Sequence, residues 1–129
     1  MSLNQETILN EDAFLVSETD SRGNIIFANE EFCRVAEYKL DDLMGKPHNI
    51  VRHKDMPRAA FEDLWSTVKR GEDWQGFVKN ATKSDGYYWV FATIYPFTNE
   101  KGEQCYMSCR RKPSREDVEK YTQLYKTMA

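Results

Sequence analysis

The densest set of chemically capable side chains lies in Gly45-Lys46-Pro47-His48-Asn49-Ile50-Val51-Arg52-His53-Lys54-Asp55-Met56-Pro57. Arg52, His53 and Asp55 crowd one end of it. A guanidinium pairs with phosphate or with another electron-rich group. An imidazole hydrogen-bonds or titrates near neutral pH. A carboxylate beside them orients either one, or caps the helix that Pro57 is suited to open. The plainer reading is a polar loop tied together by its own ion pair. His48 reads as structural. His48 and His53, with cysteines far away, fit no standard zinc spacing, so no metal site is expected. Catalysis gains little support. His53 with Asp55 has no Ser or Cys nucleophile in a supporting motif, and no Gly-rich phosphate loop is present. The chain is expected not to be an enzyme.

A second cluster follows Gly71. If residues 73–82 form a strand, Trp74, Gly76, Val78 and Asn80 share one face. Gly76 removes bulk there, as though something must approach closely. Asn80 is then either a binding residue or a strand-end Asn that bonds the turn.

Periodicity supplies the elements that position these residues. Residues 14–19 and 24–28 are strand candidates around a turn dense in Asp, Ser, Gly and Asn. Asn29 suits a helix N-cap, and Phe32, Val35 and Ala36 carry a short helix to about Tyr38. One helical turn at 41–44 is stopped by Gly45 and Pro47. From Pro57, the spacing of Phe61, Leu64, Trp65 and Val68 predicts a helix that Gly71 ends. The period then changes to two. Residues 73–82, 87–97 and 103–111 form an antiparallel meander with short turns between. Pro113-Ser114-Arg115-Glu116 starts a last helix bearing Val118, Tyr121, Leu124 and Tyr125. Residues 4–10 have weak helical character. The order predicts an α+β fold with one five-stranded antiparallel sheet and the helices on one face. The expected division is a cap at 1–11, the domain at 12–112 and a C-terminal helix at 113–129.

A chain of 129 residues has room for one core. Eighteen Lys and Arg against 21 Asp and Glu give a net charge of −3. That argues against nucleic-acid binding by bulk charge. The short run Arg110-Arg111-Lys112 is better read as a solvated strand end. No apolar run approaches the roughly 18 residues of a membrane span. The N-terminus lacks the pattern of a secretory signal, which points to the cytoplasm. Cys33, Cys105 and Cys109 are then reduced thiols. Cys105 and Cys109 on one strand would sit about 13 Å apart, too far to bridge.

The order of elements and turns resembles the PAS sensor domain over about residues 10–112. The resemblance is carried by the Gly turn followed by Ile25-Ile26-Phe27-Ala28-Asn29, by Tyr38 with Leu43-Met44-Gly45-Lys46, and by Asp85-Gly86-Tyr87-Tyr88-Trp89-Val90. Residues 45–57 with Ala60-Phe61 and Trp65 are similar to the PAS domain of bacterial aerotaxis receptors. So are Gly71 to Asn80, Tyr88-Trp89-Val90, and Tyr106-Met107-Ser108 with Arg110. That resemblance implies noncovalent FAD, which can be lost on purification, and a redox or oxygen-linked energy sensor working with a chemotaxis-type signalling module. The implied cofactor-binding set is Asn49, Arg52, His53, Asp55, Trp65, Trp74, Asn80, Tyr88, Val90 and Arg110. Trp65 and Trp74 would wall a slot for the flat ring. Asn80 matches an Asn that reads the ring edge in light-oxygen-voltage photoreceptors. Their second such Asn falls here at Val90, so the ring must be held differently. Their photochemical Cys has no counterpart around 49–53. The alternatives are a cofactor-free PAS dimerisation module and a heme PAS with His53 as axial ligand.

If Asn80 faces the pocket, the register of the light-oxygen-voltage photoreceptors implies that Tyr88, Val90, Ala92 and Ile94 also turn inward. Trp89, Phe91, Tyr95, Cys105, Met107 and Cys109 then point outward. That apolar face predicts a homodimer, because the short terminal caps look too small to cover it.

Overall fold

The structure is a computed structural model describing residues 4–128. Five strands form one antiparallel sheet: β1 (Leu15–Thr19), β2 (Ile25–Ala28), β3 (Trp74–Ala81), β4 (Tyr87–Thr98) and β5 (Gln104–Arg111). Their spatial order is β2-β1-β5-β4-β3. The first and last strands in sequence thus pair at the centre, Ser17 opposite Ser108 and Leu15 opposite Arg110. Between β2 and β3 the chain forms α1 (Glu30–Ala36), α2 (Leu40–Leu43), a 3₁₀ helix (His48–Val51) and α3 (Arg58–Lys69).

Local chemistry sets these boundaries. The Asn29 side chain accepts from the Phe32 amide at 3.0 Å, and Glu30 and Glu31 occupy the first turn of α1. Pro57 sits at the N-cap of α3 with φ −70°. Ala60, Leu64 and Val68 line the buried face of α3. Phe32, Leu43, Val51, Val68 and Val90 are almost wholly buried between these helices and the inner sheet face. Each contributes about 1.5–3 kcal/mol of burial.

Two expectations change. Residues 4–10 are not helical. β5 pairs with β4 only from Phe91 onward, which leaves the backbone of Tyr87 open on that side. The extended N-terminal segment fills it: the Thr7 amide donates to the Tyr87 carbonyl and the Tyr87 amide to the Gln5 carbonyl. Residues 1–3 of the expected cap lie outside the described residues.

The outer face is also less open than the size of the terminal segments suggests. The last helix, α4 (Arg115–Thr127), lies on the outer face of the sheet. Tyr121 packs on Phe77 at 4.5 Å between ring centroids, and Tyr125 stacks on Trp89. The Tyr125 hydroxyl donates to the Phe77 carbonyl at 2.6 Å. Trp89 is buried as a result. Leu124, expected in the packing row, is exposed. Ion pairs Glu6–Arg115 and Glu11–Lys112 tie the N-terminal segment to the start of this helix. Beyond α4, Val16, Tyr95, Met107 and Cys109 keep partial exposure on the outer face, whereas Cys105 is buried.

Candidate functional site

Strand parity puts small or polar side chains on the inner face where a core would ordinarily be apolar. They are Ser17 and Thr19 on β1, Ser108 and Arg110 on β5, and Asn80 on β3, all buried. They face a cavity of about 630 Å³ closed by α3 and the loop at 47–52. That volume lies within the range of small-molecule and cofactor sites. Phe61, Leu64 and Trp65 of α3, with Ile94 and Tyr106, make its apolar walls.

Arg110 dominates the chemistry of the wall. The residue is 3% exposed and makes no ion pair among the described residues. Its Nη2 donates to Ser17 Oγ at 2.9 Å and to His48 Nε2 at 2.8 Å. Its guanidinium stacks over Phe32, 4.9 Å from the ring centroid. Nη1 has no hydrogen-bond partner, and neither does the buried Ser108 Oγ. Burial lowers the Arg110 pKa to about 10, so the group is still a cation at neutral pH.

His48 keeps some exposed surface as a residue, but its ring end is enclosed by Ser17, Arg110 and Phe32. Burial first, and the Arg110 charge second, pull its pKa down to about 3. Nε2 is therefore a bare acceptor for Arg110. Tyr88 stands behind this group, fully buried, with no hydrogen bond of standard geometry at its hydroxyl. Burial raises its pKa to about 12, against the opposing influence of Arg110 and Asn80.

The structure divides the expected residues. Asn49, Arg52, Trp65, Asn80 and Arg110 line the cavity. Arg52 lies over Phe61, 4.3 Å from the ring centroid, and its backbone bridges to Asn80. Trp65 packs edge-on against Tyr106. His53, Asp55, Trp74, Tyr88 and Val90 lie outside the lining.

Asp55 accepts from Lys79 Nζ at 2.8 Å, a bond that holds its carboxyl below the usual range. It makes no side-chain cap to α3. His53 Nδ1 accepts the Asp55 amide at 3.0 Å, and its ring meets Tyr87 edge-on. Burial and Lys79 lower its pKa, so at neutral pH it is a neutral acceptor. The loop is thus tied by its own contacts to Lys79 of β3 and Tyr87 of β4. Trp74 donates Nε1–H to Asp63 at 2.9 Å, and its ring lies over Gly76. A Cβ at Gly76 would collide with ring carbons Cζ2 and Cη2. The close approach expected there is made by Trp74 itself.

Ser17, His48 and Ser108 were not among the expected site residues. The available signal was polar residues at alternate, core-facing positions of the central strands, Ser17 and Thr19 then Ser108 and Arg110.

A family described as PAS fold matches residues 25–111. The aerotaxis receptor of Escherichia coli K12 is 44% identical over 124 residues, covering 96% of this chain and 24% of that protein. The nitrogen fixation regulatory protein of Klebsiella oxytoca is 31% identical over 106 residues, covering 81% of this chain and 21% of that protein. The chain therefore spans about a quarter of the length of the curated relatives it matches. Among solved structures, the light state of the blue-light photoreceptor Aureochrome1 LOV superposes with a TM-score of 0.71 at 18% identity, covering 88% of both chains; that likeness concerns the fold. No helix among the described residues is long and apolar enough to cross a membrane. With the family match across most of the sheet and its helices, the chain belongs to the PAS family.

Proposed function

We propose that this domain binds FAD noncovalently in the 630 Å³ cavity and serves as a redox or oxygen-linked sensor of aerotaxis type. The observation that carries the reading is Arg110: a buried cation that lines the cavity, makes no ion pair among the described residues and leaves Nη1 without a hydrogen-bond partner. An isolated buried charge is costly unless something electron-rich meets it. The carbonyl and imine edge of a flavin offers such acceptors. Asn80 presents both a donor and an acceptor, and Ser108 a free hydroxyl, on the same wall. The aromatic faces of Phe61 and Trp65 complete a slot for a flat ring. His53 does not line the cavity, which disfavours it as a heme ligand.

A bound flavin supplies electron uptake and, with it, a change of charge at the ring edge. The protein's part is to answer that change. Arg110 can strengthen its donation from Nη1 at the expense of its bonds to Ser17 and His48. His48, freed from Arg110, becomes easier to protonate. Those exchanges join β1, β5 and the 3₁₀ helix, so they can shift the population of two arrangements of sheet and loop. Output passes to a chemotaxis-type signalling module in the cytoplasm. The strip of the outer face not covered by α4 (Val16, Tyr95, Met107, Cys109) forms the contact of a homodimer.

Reconstitution of the apo domain with FAD, followed by desalting and a visible spectrum, tests the reading. The expected result is stoichiometric flavin in wild type and a loss of at least tenfold in affinity for Arg110→Met. A folded wild-type domain that retains no flavin at saturating FAD would overturn it.

A further inference from the structure

Outside the Arg110 wall, four more cations border the same cavity: Arg22 in the β1–β2 turn, Arg52 after the 3₁₀ helix, and Arg58 and Lys69 at the two ends of α3. All four are exposed. Among the described residues, Glu62 is the only carboxylate in the lining. None of the four makes an ion pair among the described residues, although acidic residues outnumber basic ones in the chain. Arg52 rests on Phe61 and Lys69 lies 5.9 Å from the Trp65 ring centroid. These are contacts to the same apolar walls, and they supply no counter-charge.

The cavity therefore has two zones. The deep wall offers hydrogen bonds and one buried cation, which suit a polar ring edge. The mouth offers a cluster of solvent-facing cations that make no ion pair among the described residues, which a ring edge does not need. Arg58 and Lys69 are 11 residues apart on one helix, about 16 Å along its axis. A compact monophosphate would meet one end of that row. A tail carrying two phosphates, laid along α3 with Arg22 opposite, can engage more of it.

We infer that Arg22, Arg58 and Lys69 form a phosphate-recognition rim that selects the dinucleotide flavin over its mononucleotide and unphosphorylated forms. This rests on the flavin reading of the deep wall and adds to it the residues that choose among flavins. Charge-assisted contacts to phosphate are strong, yet screened by salt where they are exposed.

The test titrates the refolded apo domain with FAD, FMN and riboflavin, reading flavin fluorescence at low and high salt. In wild type, FAD is expected to bind at least tenfold tighter than riboflavin and severalfold tighter than FMN, with both margins shrinking as salt rises. Arg22→Gln, Arg58→Gln and Lys69→Gln combined should erase the FAD margin and leave riboflavin affinity within twofold. The retained riboflavin affinity, with circular dichroism, reports that the variant is folded. Equal affinities for all three flavins in wild type would overturn the rim while leaving the flavin pocket standing. FMN matching FAD would overturn the dinucleotide selection. Failure of every flavin to bind would remove the pocket reading itself, and the rim with it.

Discussion

Lowering the pH from 7 to 5 should cost the folded domain about 2 kcal/mol through His48. The imidazole has an ordinary pKa of 6.5 and a folded pKa of about 3, set by burial and by Arg110. A pKa depressed on folding means that the unfolded chain takes up the proton first. The contribution is therefore fully present above 6.5 and is lost as pH falls toward 3. At pH 5 the unfolded imidazole is almost wholly protonated and the folded one almost wholly neutral. The gap opened since pH 7 is about 1.4 pH units, and each unit is worth about 1.4 kcal/mol. His53, also held low by burial and Lys79, acts in the same direction. Asp20 and Asp55, both held below 3.8, lose their contributions only in more acid solution and stay silent in this window. Urea unfolding at pH 7 and pH 5, for wild type and His48→Gln, isolates the term. The glutamine can still accept from Arg110 and bond Ser17, but does not titrate. Wild type should lose about 2 kcal/mol more than the variant. Equal losses in the two proteins would show that His48 is solvated or already protonated in the fold, and the account of the Arg110 wall would fail with it.

Three other outcomes are expected. Gly76→Ala should destabilise by about 1–3 kcal/mol in urea unfolding, because the new methyl displaces the Trp74 ring and strains its bond to Asp63. Trp74→Phe should lower stability by about 1 kcal/mol or more through loss of that bond, while FAD affinity stays within twofold; a large loss of affinity would return Trp74 to the cofactor set. In sedimentation, Met107→Glu should convert a wild-type dimer to monomer without loss of helix or sheet signal, since Met107 lies on the outer strip beyond α4; a monomeric wild type would remove the dimer proposal.

Where the fold depended on short-range rules, the sequence was a good guide. The helix opened by Asn29 begins at Glu30, and the helix that Gly71 was expected to end stops at Lys69, with Gly71 at φ +86°. Strand alternation put Trp74, Gly76, Val78 and Asn80 on one face, the resemblance to light-oxygen-voltage domains turned that face and Tyr88 inward, and the pairing of Asn80 opposite Tyr88 agrees. What escaped were partnerships decided by distant chain segments. Residues 4–10 became extended because Tyr87 offered them an open strand edge. Nothing within the segment itself announces that edge.

The site shows the same division in sharper form. Arg52, His53 and Asp55 looked like one functional group because they are adjacent in sequence, but the loop sends them different ways. Arg52 turns to the cavity and Phe61, whereas Asp55 turns to Lys79 on β3 and His53 to Tyr87 at the start of β4. Conversely, Ser17, His48 and Arg110 are separated by 31 and 62 residues along the chain and meet within 3.1 Å. Each alone has an ordinary explanation: a strand serine, a loop histidine, a basic residue near a strand end. Only the central pairing of β1 with β5 makes them one cluster. Burial then does the rest: it keeps His48 neutral and leaves Arg110 charged without a counter-ion among the described residues. A hydrogen-bonded wall with one unanswered cation is expensive for a fold to maintain by itself. Its cost is offset when an electron-rich partner fills the space in front of it, which is why the stability of the empty domain and its affinity for flavin should move in opposite directions when Arg110 becomes Met.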